Sequence, residues 1–356
     1  MLCGNPFQVP ELTDYCLDFL HESKPDLKTC TAVCRGWLPT ARFHLFSALN
    51  FSGPLGNRDL RISHLVGISG SPHILALVSR LTIDVYYLEE SNSFSAAIPQ
   101  LKQLEEIYIS GDLRPSTSTL HTALVAARAI LGLPTVQNVE LYSSFQSPDA
   151  FLYIWNGCAE SIRHLTLGTK TPTYDWASSP VLDMRRKIPL ESLSLMYPHS
   201  VTSWLATTAC PFDFSRLTTL SVQEHVIILG WPQFAGVHLT LQRLEFWAAS
   251  RTPLDLGLFA RLQHLRILLV QGGPSLEMAL TALSTLPGGN RLASLEIGYL
   301  SPLPGSLGRL DDLLFSMALP ALAEVTVATN IASRHINVEK AMPKLLSRGL
   351  LSVIYR

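Results

Sequence analysis

The segments LQRLEF (Leu241–Phe246) and LQHLRI (Leu262–Ile267) share a six-residue pattern whose first, fourth and sixth positions are apolar. The same pattern occurs twelve times, in copies that start at Phe46, Val78, Leu104, Val136, Ile162, Leu190, Leu217, Leu241, Leu262, Leu292, Leu322 and Leu350. The first and last starts are 304 residues apart, so the eleven steps average about 28 residues. Recurrence at this period is typical of repeat architectures, in which each repeat packs against its neighbours.

Between several copies, apolar residues recur at helical spacing. These stretches are SPDAFLYIWNGCAES from Ser147, SLEMALTALSTL from Ser275 and GRLDDLLFSMAL from Gly308. Each repeat is therefore predicted to be a short strand followed by a helix or an irregular return. The predicted fold class is α/β, a solenoid with parallel strands inside and helices and loops outside. Two breaks are expected, a long loop over Thr169 to Pro189 and a shorter one over Leu300 to Gly308.

The repeat pattern resembles that of leucine-rich repeats. Such repeats usually carry Asn or Cys three positions beyond the third apolar residue, where this chain has Asp112, Ser144, Lys170, Pro198 and His225, with Asn only at Asn330. The repeats are therefore expected to be degenerate and irregular versions of that family.

The stretch from Val9 to Phe46 is different, because it predicts three short helices, Pro10 to Glu22, Pro25 to Arg35 and Trp37 to Phe46. Proline is tolerated in a first helical turn, which suits Pro10 and Pro25. Two buried stripes follow from apolar spacing: Leu12, Cys16, Phe19 and Leu20 on the first helix, and Leu27, Cys30, Val33, Cys34 and Trp37 from the second onward. Leu17 is expected to project to another side.

The order VPEL from Val9, then Leu20, then VCRGWLPTARFHLF from Val33 resembles an F-box of the kind found in fungal proteins. The resemblance covers about a tenth of the chain, and Val9 stands where the family more often has Leu. It implies an F-box-like helical module over residues 1–46, followed by a degenerate leucine-rich-repeat solenoid over residues 47–356. It also implies docking on a Skp-type adaptor, and through it a cullin scaffold, with Pro10, Leu12, Leu20, Val33, Cys34 and Trp37 as the adaptor-binding residues.

This resemblance implies that the chain is the substrate-recognition subunit of an SCF-type ubiquitin ligase. An alternative remains open, in which the N-terminal helices only cap the end of a repeat scaffold. A cap would turn Pro10, Leu12 and Trp37 toward the first repeat, whereas an adaptor-binding module would leave several of them exposed. A third possibility is a small-molecule sensor, for which a sizeable pocket lined by Arg and His on the strands would be needed.

Composition argues against several other classes. The chain has 47% hydrophobic and 15% charged residues, with 27 basic and 28 acidic side chains and a net charge of -1. No bulk field favours nucleic acid or an anionic membrane. The first nine residues lack the features of a secretory signal, and no uninterrupted apolar span is long enough for a membrane helix. An intracellular protein of the cytoplasm and/or nucleus is expected.

No recognisable set of nucleophile, base and charge stabiliser is found, so an enzyme is not expected and no cofactor or metal is predicted. A substrate receptor needs none, because it contributes proximity to a conjugating enzyme that acts in trans. Cys30, Cys34 and His44 could in principle hold a metal, but buried thiols in a reducing compartment account for the cysteines more simply.

Strand alternation predicts that the residues between the apolar positions line the concave face of the solenoid. Tyr, Trp and Arg on such a face are the types that anchor interfaces. The predicted substrate-binding residues are Tyr108, Tyr142, Arg243, Glu245, Trp247, His264 and Arg266. Ordinary pairing of Glu245 with Arg266, with Trp247 covered by a loop, remains the alternative for the densest part of this set.

Overall fold

The computed structural model describes residues 10–53, 58–90, 92–113, 120–145, 147–168, 187–196, 202–205, 207, 210–223, 234, 236–248, 254–269, 275–299, 306–317, 319–329 and 337–355. The chain divides into two compact units, residues 1–162 and 163–356. This division falls among the repeats, and the predicted boundary after Phe46 stays a prediction.

The first unit begins with three helices, α1 (Pro10–Asp18), α2 (Lys24–Val33) and α3 (Leu38–Phe46). Four parallel strands follow, β1 (Ala48–Phe51), β2 (Arg80–Asp84), β3 (Glu106–Leu113) and β4 (Asn138–Phe145), each paired with the next. The returns between and after them contain the helices Arg58–Ser69, Pro72–Leu75, Val85–Glu90, Asn92–Ala97, Leu120–Leu131 and Pro148–Trp155 and the 3-10 helix Ile98–Gln100.

The second unit contains eight parallel strands that pair in the order β5 (His164–Leu167), β7 (Ser192–Leu195), β9 (Thr219–Val222), β10 (Arg243–Trp247), β11 (His264–Leu269), β12 (Ser294–Tyr299), β13 (Glu324–Thr329) and β14 (Leu351–Tyr355). Two short strands, β6 (Ile188–Pro189) and β8 (Phe212–Asp213), pair separately in parallel. The returns contain the helices Thr202–Leu205, Ser275–Ser284, Ser306–Ser316, Val338–Ala341 and Pro343–Ser347 and the 3-10 helices Val237–Leu239 and Leu256–Leu258. The α/β class predicted from the sequence is confirmed.

Each of the twelve six-residue copies contains a strand, and the burial of side chains explains the pattern. Alternate residues of a strand point to opposite faces, so the fourth and sixth positions of the first eleven copies share the buried face, whereas Val353 and Tyr355 of the last copy are half-buried and exposed. In β11 these are Leu265 and Ile267, and the register aligns them with Leu244 and Phe246 of β10. The first position, such as Leu262, is also buried and packs under the start of the strand.

The last copy departs from the expected alignment. Leu351 of β14 pairs with Val325, so Val353 lies opposite Val327, two residues out of step with the other copies. The turn that ends the helix Pro343–Ser347 explains the shift, because Gly349 adopts a positive φ of 68° and donates its N–H to the Leu346 carbonyl. The turn sets where the strand starts, and the apolar pattern alone does not encode this point.

The two predicted breaks lie mostly outside the described residues. Residues 169–186 are not described, but Ile188–Pro189 forms β6 rather than loop, because the N–H of Ile188 donates to the Pro211 carbonyl. Residues 300–305 are also outside, and the helix expected from Gly308 starts at Ser306. None of the helices among the described residues has the length and hydrophobicity that crossing a membrane requires.

The three N-terminal helices form where they were predicted, with shorter ends. α1 stops at Asp18 rather than Glu22, because the N–H of Leu20 bonds to the Leu17 carbonyl three residues back and begins a turn. Their common core consists of Leu17, Leu27, Cys30 and Ala41, against which Leu20, Trp37 and Leu45 are partly buried. The helices therefore have a core of their own.

Candidate functional site

The outer side of α1 is an exposed apolar surface. Leu12 is 47%, Tyr15 62% and Phe19 70% exposed, and Cys16 is exposed as well. Leu12, Tyr15 and Cys16 lie at spacings of three and four and therefore on one side of the helix, and Phe19 follows directly after its last residue. The rings of Tyr15 and Phe19 meet edge to face with centroids 4.9 Å apart. We call Leu12, Tyr15, Cys16 and Phe19 the α1 face.

The prediction that Leu12, Cys16 and Phe19 form the buried stripe of α1 is wrong. Thr13 and Leu17 face the core instead, with Leu20 partly buried beside them. Both sides of this helix carry apolar residues, so spacing alone does not choose between them. The choice depends on α3, whose His44 Nε2 lies 2.8 Å from Asp18 Oδ1 and whose Thr40 hydroxyl donates to Asp14.

These two polar contacts orient α1. Asp14 and Asp18 are four residues apart and therefore share the side of the helix that meets α3. With that side and the Leu17 side both used in packing, the α1 face is left toward solvent. The orientation is a consequence of helix-to-helix contacts that no single helix encodes.

The six predicted adaptor-binding residues separate into two groups. Leu12, Val33 and Cys34 are exposed, with Val33 at 57%. Leu20 and Trp37 pack against the core of the three helices. Pro10 begins α1, and its side chain lies outside the described part of the chain. The buried stripe predicted for α2 is therefore correct at Leu27 and Cys30 and wrong at Val33 and Cys34. The helix ends at Val33, because the backbone of Cys34 is in an extended conformation.

The metal alternative is not supported by the arrangement of its three residues. Cys30 is buried, Cys34 is exposed, and His44 is engaged with Asp18. Among the described side chains, no group of three or more His, Cys, Asp or Glu is placed to hold a metal ion.

A second candidate surface lies on the half-exposed face of β10, β11 and β12. The strand register places Glu245, Arg266 and Glu296 side by side in one row. Arg266 Nη1 lies 3.0 Å from Glu245 Oε2, and Arg266 Nε lies 3.2 Å from Glu296 Oε1. The predicted pairing of Glu245 with Arg266 is thus present, and a second carboxylate completes it.

The neighbouring row contains Arg243, His264 and Ser294, and His264 Nδ1 lies 2.8 Å from the Ser294 hydroxyl. Together the two rows line a cavity of about 330 Å³. Ser294 and Glu296 were not among the predicted contact residues, although the step of 30 residues from Leu262 to Leu292 already places them beside His264 and Arg266. This cavity has the Arg and His lining that the small-molecule alternative requires.

Trp247 lies in a third row of the same face. It is half-buried, and the register aligns it with Leu268 and Gly298. The row is apolar, whereas the two rows before it are polar and charged. Residues 249–253, which follow this strand, lie outside the described residues, so the covering of Trp247 by a loop stays a prediction.

The last two predicted residues, Tyr108 and Tyr142, belong to the first unit. Their rings stack with centroids 5.1 Å apart and an interplanar angle of 28°. Glu140 pairs with Tyr108 across β3 and β4. Burial, and to a lesser degree the charge of Glu106, raises the pKa of Glu140, while burial followed by Glu140 and Tyr108 raises the pKa of Tyr142. The Tyr pair is therefore an aromatic surface beside a carboxyl group whose pKa is raised.

No known family model matches this chain, and no curated protein matches its sequence significantly.

Proposed function

We propose that this protein is the substrate-recognition subunit of an SCF-type ubiquitin ligase. In this proposal α1 to α3 are an F-box that docks a Skp-type adaptor, which connects the chain to a cullin scaffold. The strands after them are degenerate leucine-rich repeats whose half-exposed face binds the substrate protein. The chain itself carries out no chemistry, because it brings the substrate close to a conjugating enzyme.

The observation that carries the proposal is the exposed α1 face beside a closed helical core. Leu17, Leu27, Cys30 and Ala41 complete that core without Leu12, Tyr15 or Phe19. Large apolar side chains at helical spacing that remain exposed are the usual mark of an interaction surface. Tyr and Phe are also enriched at the centres of interfaces between proteins.

The capping alternative predicts a different exposure for the same residues. A cap would place the α1 face against the first repeat and bury it there. Leu12 remains 47% exposed, while α3 is the helix that lies beside β1. Of the three residues that distinguish the two alternatives, Leu12 is exposed, Trp37 packs against the core of the three helices, and the Pro10 side chain lies outside the described residues. The exposure of Leu12 favours the adaptor, although α3 also lies beside the first strand.

The substrate face is supported by its residue types. Arg243, His264 and the Glu245–Arg266–Glu296 row line a cavity, and Trp247 extends the same face with an apolar row. An exposed polar rim beside an aromatic residue is the composition of a protein interface. The small-molecule alternative uses the same cavity, and it would be favoured if a ligand bound there in the absence of substrate.

The experiment is co-expression with a Skp-type adaptor, followed by size-exclusion chromatography. The wild-type chain is expected to co-elute with the adaptor, and a Leu12→Asp, Phe19→Asp variant is expected to elute alone. A Leu60→Asp, Val66→Asp variant is the matched control, since it places the same charges on exposed apolar residues of the helix Arg58–Ser69. Circular dichroism of each variant checks the fold.

If the wild-type chain elutes as a single species without the adaptor, the ligase proposal is rejected. The N-terminal helices would then be a cap of the repeat scaffold. Equal loss of co-elution in both double variants would also count against a specific α1 face.

A further inference from the structure

A second cavity lies in the first unit, where α2 and α3 meet β1 and the helix Arg58–Ser69. Its volume is about 480 Å³, which is within the size range of small-molecule sites. We call it the junction cavity. It is formed by other sides of the three-helix bundle than the α1 face, and the proposed function assigns it no role.

The junction cavity is lined by four basic side chains, Lys24, Lys28, Arg42 and His64, and by no Asp or Glu. None of the four forms an ion pair within the described part of the chain, although other cations on this fold do. Arg266 has two carboxylate neighbours, for comparison. Lys24, Lys28 and Arg42 around one concave surface, without acidic partners in its lining, produce a positive potential that attracts anions.

The sequence places these cations together through helical spacing. Lys24, Lys28 and Thr31 lie at spacings of four and seven on α2, on a stripe that borders the buried Leu27. Leu38, Arg42 and Leu45 repeat this spacing on α3. Two cationic helix sides therefore face one space, and His64 closes it from the helix Arg58–Ser69.

The rest of the lining is partly apolar. Leu49 and Phe51 of β1 are buried at the cavity, and Leu45 is half-buried. An inorganic ion would not contact this apolar surface, whereas the carbon skeleton of an organic ligand would cover it. The lysines act as point charges for phosphate oxygens, and Arg42 can bind two of those oxygens at once.

We propose that the junction cavity binds a small organic phosphate that carries at least two negative charges. The ligand would contact α2, α3 and β1 together, so its binding stabilises the first unit. This inference does not depend on adaptor binding, and it is tested without the adaptor.

The test is isothermal titration calorimetry of the full chain with fructose 1,6-bisphosphate, with fructose and pyrophosphate as comparison probes. The bisphosphate is expected to bind, pyrophosphate to bind more weakly, and fructose not to bind. A Lys28→Gln, Arg42→Gln variant is expected to bind the bisphosphate about tenfold more weakly or worse, as the loss of two exposed charge contacts implies. Thermal denaturation with the bisphosphate gives a second readout, since a ligand of the folded state raises the melting temperature.

The matched control is a Lys102→Gln, Arg261→Gln variant, which removes two exposed cations that do not line the cavity. Equal weakening in this control, absence of bisphosphate binding by the wild type, or equal binding of fructose would overturn the inference. Co-sedimentation with phosphatidylcholine vesicles, with and without phosphatidic acid, distinguishes a free organic phosphate from a lipid headgroup. Binding only to the phosphatidic acid vesicles would also overturn it.

The Lys28→Gln, Arg42→Gln variant is also tested for co-elution with the adaptor. Loss of phosphate binding can then be distinguished from loss of adaptor binding. A chain that binds the bisphosphate but no adaptor retains the junction site and loses the ligase role. A chain that binds the adaptor but no bisphosphate does the reverse.

Discussion

The buried carboxylate of Asp311 accepts the backbone N–H of Leu345 at 2.9 Å, although the two residues belong to different helices. Its second oxygen accepts the N–H of Lys344 at 3.0 Å. Asp311 lies on the helix Ser306–Ser316, and the two N–H groups lie in the first turn of the helix Pro343–Ser347. A side chain of one repeat thus satisfies two free N–H groups of a helix in the following repeat, and this contact explains how a carboxyl group is tolerated in the interior.

Asp311→Ala is expected to destabilise the chain by about 2 kcal/mol, because it removes a helix cap and leaves two N–H groups without acceptors. Urea denaturation followed by circular dichroism measures the change. The neighbouring Asp312→Ala is the control, since Asp312 is exposed and only pairs with the Lys344 side chain. An equal effect of the two substitutions would contradict the capping role.

Cysteine modification can map the α1 face directly. Iodoacetamide is expected to modify Cys16 and Cys34 quickly at pH 8, because both thiols are exposed. Cys158 is expected to react far more slowly, because burial raises its pKa to about 12 and little thiolate forms. Addition of a Skp-type adaptor is expected to protect Cys16, and peptide mass spectrometry reports each site separately.

Unchanged labelling of Cys16 in a complex with the adaptor would show that the adaptor docks away from the α1 face. Cys158 provides the internal control, because its labelling should not change with the adaptor.

Glu140→Gln is expected to stabilise the chain slightly at pH 7. The pKa of Glu140 is raised above its usual 4.5 by burial and by Glu106, so the carboxylate ionises less readily in the folded than in the unfolded chain. Stability from this group is therefore present at low pH and is lost as pH rises through the folded pKa. The difference in melting temperature between variant and wild type should shrink as pH falls and vanish only well below pH 4.5, where Glu140 is protonated in both states.

A melting temperature that falls in Glu140→Gln at pH 7 would show that the carboxylate has a favourable partner. Glu105→Gln is the control, because Glu105 lies just before β3 and is not paired with Tyr108 in the register of β3 and β4.

Arg266→Met is expected to destabilise the chain by about 1 kcal/mol, because Glu245 and Glu296 then face each other without a cation between them. A second substitution, Glu296→Gln, is expected to recover part of that loss by removing one of the two negative charges. Urea denaturation of the single and double variants measures the coupling. Additive effects would mean that the three side chains act independently.

Much of the strand framework could be read from the sequence. The positions of Leu244 and Leu265, equivalent in two copies, place them opposite each other in β10 and β11, because a parallel ladder aligns repeats of similar structure. The register of β14 with β13 could not be predicted in this way. A glycine turn at Gly349 sets the entry of that strand, and the six-residue pattern contains no information about it.

The candidate sites were less predictable. Strand alternation was sufficient to place Arg243, Glu245, His264 and Arg266 on one face, because side-chain direction in a strand has a period of two. It could not tell that Glu296 would share Arg266 with Glu245, since this depends on the side-chain conformations of three neighbouring strands.

The sequence by itself determined the α/β class, the twelve strands and the three N-terminal helices, because apolar periodicity is a local property of the chain. Only the tertiary structure decided which side of α1 faces solvent. Leu12 and Leu17 are equally apolar, and contacts from Thr40 and His44 of α3 select the side that packs. The junction cavity also depends on tertiary structure, since its basic side chains come from three helices that meet only in the folded chain.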